Sequence, residues 1–263
     1  MNPILINLDF IQIRWYSVLV LSAFIIGYFL VIRRSKKLGY SLTVISDICF
    51  YLVIVCILGA RLYYCLFNLN YYSKNILDIL KIWEGGLAIH GGILAGIIFL
   101  IFYTKKKKLN LIELFDIFAP ALVLGQSIGR WGNFFNSEAY GSVTTLSNLK
   151  SLHIPQFIID GMYINGNYYH PTFLYESLGC LIIFIILIIL IKLNKTKQGQ
   201  IFGIYSILYG ILRFFIESLR TDSLMLFNLK MAQIVSIIMI LVGIYLYIRS
   251  KNDKQKMGHS TKR

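Results

Sequence analysis

The sequence predicts an all-α integral membrane protein with seven transmembrane helices, its amino terminus outside and its carboxyl terminus in the cytoplasm. Three observations predict it. Hydrophobic residues make up 57% of the 263-residue chain and charged residues only 14%, with a mean hydropathy of +0.68. That is the composition of multi-span membrane proteins, not of soluble domains. Seven apolar runs are each long enough for a hydrocarbon core about 30 Å thick, which needs roughly 17–25 helical residues. Basic residues then gather after the first, third, fifth and seventh runs, the asymmetry that the positive-inside rule produces.

The runs fall at 15–32, 44–67, 87–103, 111–128, 172–193, 201–219 and 231–248. The first fifteen residues lack the basic region of a secretory leader and no small-residue cleavage site follows, so the first run is expected to be a retained span. The fourth is interrupted by Glu113, Asp116 and Pro120, which a span tolerates when neighbouring helices re-satisfy its backbone. Arg33, Arg34, Lys36 and Lys37 follow the first run; Lys105, Lys106, Lys107 and Lys108 the third; Lys192, Lys195 and Lys197 the fifth. Arg249, Lys251, Lys254, Lys256, Lys262 and Arg263 follow the seventh, so that 17 of the 26 basic residues lie on one side if all seven runs cross. The formal charge of +14 is therefore a membrane-orientation signal, and no nucleic-acid partner is expected. Residues 1–248 form the membrane domain and 249–263 a basic cytoplasmic tail, whose composition predicts disorder. The polar connection 142–170, between the fourth and fifth spans, faces outward as a small loop domain. Within it Asn165, Gly166 and Asn167 read as a turn between strand-like runs at 157–159 and 168–169.

The four cysteines, Cys49, Cys56, Cys65 and Cys180, sit in apolar runs without CxxC spacing and read as small buried hydrophobes. The histidines show no HExxH pattern, so no metal is expected, and no internal repeat is evident.

Polar residues concentrate at the outer ends of the spans. After the fourth run, residues 129–141 (GRWGNFFNSEAYG) gather Arg130, Asn133, Asn136, Glu138 and Tyr140 among aromatics and glycines. Two readings stay open: an interfacial loop whose Trp131, Phe134, Phe135 and Tyr140 make an aromatic belt, or a polar pocket built by Arg130, Asn133 and Glu138. His90, flanked by Gly91 and Gly92, lies about one turn inside the third run, where an imidazole could accept a proton near neutral pH. The flanking glycines allow a backbone or a lipid to approach closely. Arg61 near the outer end of span two either snorkels to headgroups or lines the pocket. Tyr209, Arg213 and Glu217 repeat every fourth residue and stack on one stripe of span six, with Arg220 further along on a similar face. An Arg213–Glu217 pair in an apolar setting is costly unless further partners satisfy it. Tyr16 beside Trp15 reads as belt or pocket, and Glu176 near the start of span five is a pocket candidate. Arginines outnumbering their acids leave an anion hole suited to a lipid phosphate, which guanidinium forks bind bidentately. There is no GxSxG elbow, zinc pattern or P-loop.

Residues 129–141 also resemble the signature of the bacterial prolipoprotein diacylglyceryl transferases, G-R-x-x-N-F-x-N-x-E-x-[YH]-G, at Gly129, Arg130, Asn133, Phe134, Asn136, Glu138, Tyr140 and Gly141. The resemblance spans nearly the whole chain: Arg14–Trp15–Tyr16, Gly59–Ala60–Arg61–Leu62, His90–Gly91–Gly92, His170–Pro171, and the helix Tyr209–Gly210, Arg213–Phe214, Glu217, Arg220 all match family patterns. It implies an enzyme of the bacterial cell membrane that moves a diacylglyceryl group from phosphatidylglycerol to the lipobox cysteine thiol in the signal peptide of a prolipoprotein. The product is a thioether, glycerol phosphate leaves, and no cofactor is used. On that resemblance His90, Arg130 and Arg213 are the catalytic candidates. Tyr16, Arg61, Asn133, Asn136, Glu138, Gly141, Tyr209, Glu217 and Arg220 are substrate-binding candidates, with Glu138 and Glu217 expected to hold the arginines. A phospholipid or anion transporter using the same arginines is the competing class. It is disfavoured because the cytoplasmic ends carry lysine clusters without a matching intramembrane polar set.

Overall fold

The computed structural model describes residues 3–8, 11–194, 196–226 and 229–260. Lys195, Lys262 and Arg263 of the expected basic clusters lie outside them. In chain order the elements are β1 (Ile4–Leu8), β2 (Ile11–Arg14), α1 (Trp15–Lys37), α2 (Leu42–Phe67), α3 (Leu69–Tyr72), α4 (Ile89–Lys107) and α5 (Leu111–Phe135). They continue with β3 (Val143–Thr144), α6 (Leu146–Ser151), α7 (Gln156–Gly161), β4 (Tyr163–Ile164), β5 (Asn167–Tyr169), α8 (Thr172–Lys192), α9 (Gln200–Leu219), β6 (Met225–Leu226), β7 (Leu229–Lys230) and α10 (Met231–Ser260). Two 3₁₀ turns, Ile76–Leu80 and Ile82–Glu84, lie between α3 and α4. Among the described residues seven helices, α1, α2, α4, α5, α8, α9 and α10, are long and apolar enough to cross a membrane. The chain is thus a multi-pass membrane protein.

Some helix boundaries have local causes and one is set from afar. Asn110 caps α5, its Oδ1 accepting from the backbone N–H of Ile112 at 3.0 Å and Glu113 at 3.3 Å. Lys105, Lys106 and Lys107 occupy the last turn of α4, which ends on left-handed Lys108, so cations meet the negative helix end. The buried carboxylate of Asp116 accepts from the N–H groups of Gly199 (2.5 Å) and Phe202 (2.7 Å) and so holds the start of α9. At the sequence level Asp116 reads only as an interruption; it is a tertiary helix cap. One boundary differs from expectation: α5 runs through Phe135. α10 is helical from Met231 through Ser260.

The chain divides into two compact units, residues 1–30 with 115–263 and residues 31–114. In the larger unit α5, α8 and α9 share a core of Ala119, Val123, Cys180, Leu187, Ile201 and Tyr205. α9 meets α10 closely: a Cβ on Gly243 would stand 2.6 Å from the Gly203 carbonyl oxygen. Between α5 and α8 the connection folds as α6, α7 and an antiparallel sheet in the order β3–β5–β4. Ile164 pairs with Asn167 across a two-residue turn in which Asn165 (φ 48°) and Gly166 (φ 87°) are both left-handed, the pattern a tight hairpin demands. Tyr168 and Tyr169 lie in β5 as predicted, but 157–159 is helical in α7. Three apolar residues are too few to reveal a period, and Pro155 leads into a helical turn that buries Ile158 and Ile159. In the smaller unit α2 packs on α4, where a Cβ on Gly91 would stand 2.2 Å from the Tyr63 Cβ and 2.5 Å from the Gly59 oxygen. The glycines beside His90 therefore serve helix–helix contact.

Candidate active site

Residues 129–135 form the last two turns of α5, so Arg130 and Asn133 are presented from a helix and not from a loop. The helix closes at left-handed Ser137, with the Glu138 N–H reaching back to the Asn133 oxygen at 3.0 Å. Helical spacing turns Arg130 toward α8 and α9, and there it meets Glu176, which is only 2% exposed. Arg130 Nη2 donates to Glu176 Oε1 at 2.8 Å, and Arg213 Nη1 donates to Glu176 Oε2 at 2.9 Å. One carboxylate thus bridges two guanidiniums from two helices. The Tyr209 hydroxyl donates to Glu176 Oε1 at 3.2 Å, and Arg213 Nη2 donates to Glu217 Oε2 at 2.5 Å.

Arg130 Nη1 donates to Asn133 Oδ1 at 3.2 Å, and Asn133 Nδ2 to Glu138 Oε1 at 2.9 Å. Asn136 Nδ2 reaches the same Glu138 oxygen at 3.2 Å. Glu138 therefore orients Arg130 only through Asn133, whereas Glu217 holds Arg213 directly. Tyr16 comes to this helix end because α5 has Gly132 there, where a Cβ would lie 2.5 Å from the Tyr16 ring.

Two arginines and two buried acids balance in charge, which corrects the expectation of arginines short of acids. Anion-binding capacity comes from geometry. A guanidinium has five N–H donors; Arg130 directs two at Asn133 and Glu176, and Arg213 two at Glu176 and Glu217. Arg130 Nε is buried without a hydrogen-bond partner among the described residues. Fixed by the shared carboxylate, both forks retain donors for a third group.

The aromatics of the stretch pack on a core, with Phe134 buried in it and Trp131, Phe135 and Tyr140 half-buried against it. Phe134 is 1% exposed and stacks on Phe173 at 4.6 Å, Trp131 contacts Phe173 at 5.4 Å, and Trp15 stacks on Phe135 at 4.7 Å. Trp131 Nε1 also donates to Ser177 Oγ at 3.1 Å, tying α5 to α8. Gly141 is engaged structurally: its N–H donates to the His170 oxygen at 2.9 Å, and a Cβ would meet His170 at 2.8 Å.

Arg220 does not join this cluster, and two further expected site residues, Arg61 and His90, belong to the smaller unit. α9 ends at Leu219, so Arg220 leaves the stripe in extended conformation and binds Asp222 through Nε at 2.9 Å and Nη2 at 2.8 Å. Burial would raise the Asp222 carboxyl, but the Arg220 hydrogen bonds and charge outweigh it and hold the group below the usual carboxylate range. Arg61, in the smaller unit, neither snorkels nor offers a free fork: its five N–H donors meet five backbone carbonyls, those of Asp78, Ile79, Lys81, Gly85 and Gly86. His90, also in the smaller unit, occupies the first turn of α4, is exposed, and makes no hydrogen bond among the described residues.

The sequence marks Glu176 only as a pocket candidate, and misses Gln126 and Tyr205. Gln126 Nε2 donates to the Tyr205 hydroxyl at 3.0 Å, and Tyr205 stacks on Tyr209 at 5.7 Å. A signal was present, since Tyr205 continues the Tyr209–Arg213–Glu217 stripe one turn back.

Comparison with known proteins gives a consistent picture. A family model described as prolipoprotein diacylglyceryl transferase matches residues 3–249. A phosphatidylglycerol–prolipoprotein diacylglyceryl transferase of Clostridium novyi (strain NT) is 46% identical over 256 residues, covering 97% of this chain and 98% of its own. Proteins of the same name from Staphylococcus xylosus and Staphylococcus aureus (strain Newman) are each 46% identical over 248 residues, covering 94% of this chain and 88% of theirs.

Proposed function

This chain belongs to the prolipoprotein diacylglyceryl transferase family, and from that premise we propose that Arg130 and Arg213, locked by Glu176, bind the phosphate of phosphatidylglycerol. The reaction is the family's: the diacylglyceryl group of phosphatidylglycerol passes to a prolipoprotein. We assign the acceptor as the lipobox cysteine thiol. Its sulfur attacks the glycerol carbon that bears the phosphate ester, a C–S bond forms, the C–O bond breaks, and the electron pair leaves on glycerol phosphate. The thiolate is the nucleophile, so a base must take the thiol proton. His90 is assigned that part on its chemistry and on the family pattern alone.

The observation that carries this reading is the pair of guanidiniums converging on one buried carboxylate. Negative charge grows on the departing phosphate oxygen, and donors already aimed there stabilise it without reorganising. Glu176 and Glu217 keep the forks in place, Asn133 passes the hold of Glu138 to Arg130, and Tyr16 and Tyr209 border the headgroup. We place the protein in the bacterial cytoplasmic membrane with its amino terminus outside, so that the arginines open toward the outer leaflet where exported substrates arrive.

The test is glycerol phosphate release from phosphatidylglycerol by purified protein with a lipobox peptide. Release is expected to require the peptide cysteine, and to fall about 10²–10³-fold in Arg130→Ala and in Arg213→Ala. Release that ignores the thiol, or survives both substitutions, would overturn the assignment. His90→Gln reports separately on the base.

A further inference from the structure

The connection between α2 and α4, residues 68–88, is built unlike an aqueous loop. Its side chains point apolar groups outward: Ile76 is 68% exposed, Leu77 78%, Leu80 69% and Trp83 76%. Phe67 at the end of α2 and Ile89 at the start of α4 are 74% and 70% exposed, so apolar side chains are exposed at both junctions with the spans as well as along 76–83, while exposed polar residues occupy 68, 70 and 73–75. Such a patch on a water-facing loop would be a liability.

Its backbone faces the other way. The chain here is mostly 3₁₀ turns and irregular structure, which leaves carbonyls without helical partners. Five of them turn inward onto one guanidinium, that of Arg61, which is 5% exposed and lies 5.3 Å from the Tyr72 ring centroid. Gly85 (φ 90°) and Gly86 (φ 69°) make this possible, and a Cβ on Gly86 would stand 2.5 Å from Arg61 Nη1. Asp78 is neutralised within the segment by Lys81 Nζ at 2.7 Å and the Tyr71 hydroxyl at 2.7 Å. In water these carbonyls would be hydrated and no buried cation would be required. Irregular backbone survives in the apolar part of a bilayer only where protein satisfies it.

We propose that residues 68–88 form a membrane-seated segment, not a spanning one, whose Ile76, Leu77, Leu80 and Trp83 insert among phospholipid acyl chains beside the α2 and α4 ends. Arg61 is the internal staple that keeps its backbone polarity out of the lipid. The occupant of the apolar face is the bilayer itself, because the segment joins two helices long and apolar enough to cross a membrane and its apolar side chains are exposed up to the start of α4. Arg61 is then a positioning residue for this segment.

The test uses the full-length protein in phosphatidylglycerol-containing vesicles. In Trp15→Phe/Trp131→Phe the remaining indole is Trp83, expected to be quenched by phospholipids brominated on the acyl chains and shielded from iodide. Because that variant removes packing groups, Leu77→Cys gives an independent reading: an impermeant maleimide, applied to both faces, should react only after detergent is added. Adding Arg61→Lys to Leu77→Cys should expose the thiol without detergent, since an ammonium has no fork for five carbonyls. Iodide quenching with ready labelling would put the segment in water. Shielding from both quenchers would mean that protein covers it. Either result overturns the proposal.

Discussion

Glu176 sets the character of the site at the scale of single residues, because a carboxylate 2% exposed is tolerable only with its charge met. Two guanidiniums meet it, and in return it fixes their directions. Replacing it with an isosteric amide removes the charge and leaves two cations facing one another. Glu176→Gln is expected to lower the rate of glycerol phosphate release about 10²–10³-fold, the scale for losing oriented charge stabilisation, with Glu176→Asp recovering part of it. A rate equal to wild type would mean the arginines orient themselves. The Arg220–Asp222 pair makes a prediction of opposite exposure and smaller size. Its carboxyl is held below the ordinary range, so the pair stabilises the fold above about pH 4, where an unfolded Asp is ionised. That contribution is lost as pH falls through the lower folded-state value. Thermal melts should show wild type and Asp222→Asn converging only at the acid end. Glu176 and Asp222 differ in legibility too: the first was visible in sequence as a candidate, whereas nothing local announces that Arg220 leaves the stripe to meet Asp222.

Helices are where the sequence speaks most directly. The starts and ends of the spans follow from apolar length, from Asn110 as a cap and from lysines in the last turn of α4. The exceptions are informative. α5 was expected to stop where its apolar run stops, yet it continues through Phe135, because Trp131 and Phe134 bury against Phe173 while Asn133 pairs with Glu138. Polar residues ended the hydropathy signal without ending the helix. The glycines beside His90 were ambiguous between lipid and backbone contact, and packing of α4 on α2 decides for backbone. Gly91→Ala is expected to force the two helices apart and to destabilise the protein by about 1–3 kcal/mol, as overpacking does. Denaturation of the detergent-solubilised variant checks this, and unchanged stability would show that the contact yields.

For the whole molecule, the alternation of basic clusters predicts an orientation that can be read chemically. Asn165→Cys, at the tip of the β4–β5 turn, should be labelled by an impermeant maleimide on intact cells, and Lys106→Cys only after the membrane is opened. The reverse pattern would invert the protein and remove the arginines from the leaflet where exported substrates arrive. By itself the sequence determined the class, the number of spans, their near boundaries and the family, because these depend on composition, on length against bilayer thickness and on short fixed motifs. Only the tertiary structure decided which charges meet. Glu176 lies 46 residues from Arg130 and 37 from Arg213, and Asp116 lies 83 from the Gly199 it caps. Arg61 looks from its sequence like Arg130, but its donors are all engaged by one loop. Ion pairing and hydrogen-bond satisfaction are set by distances of about 3 Å between helices far apart in the chain. No local pattern encodes such distances until the helices pack.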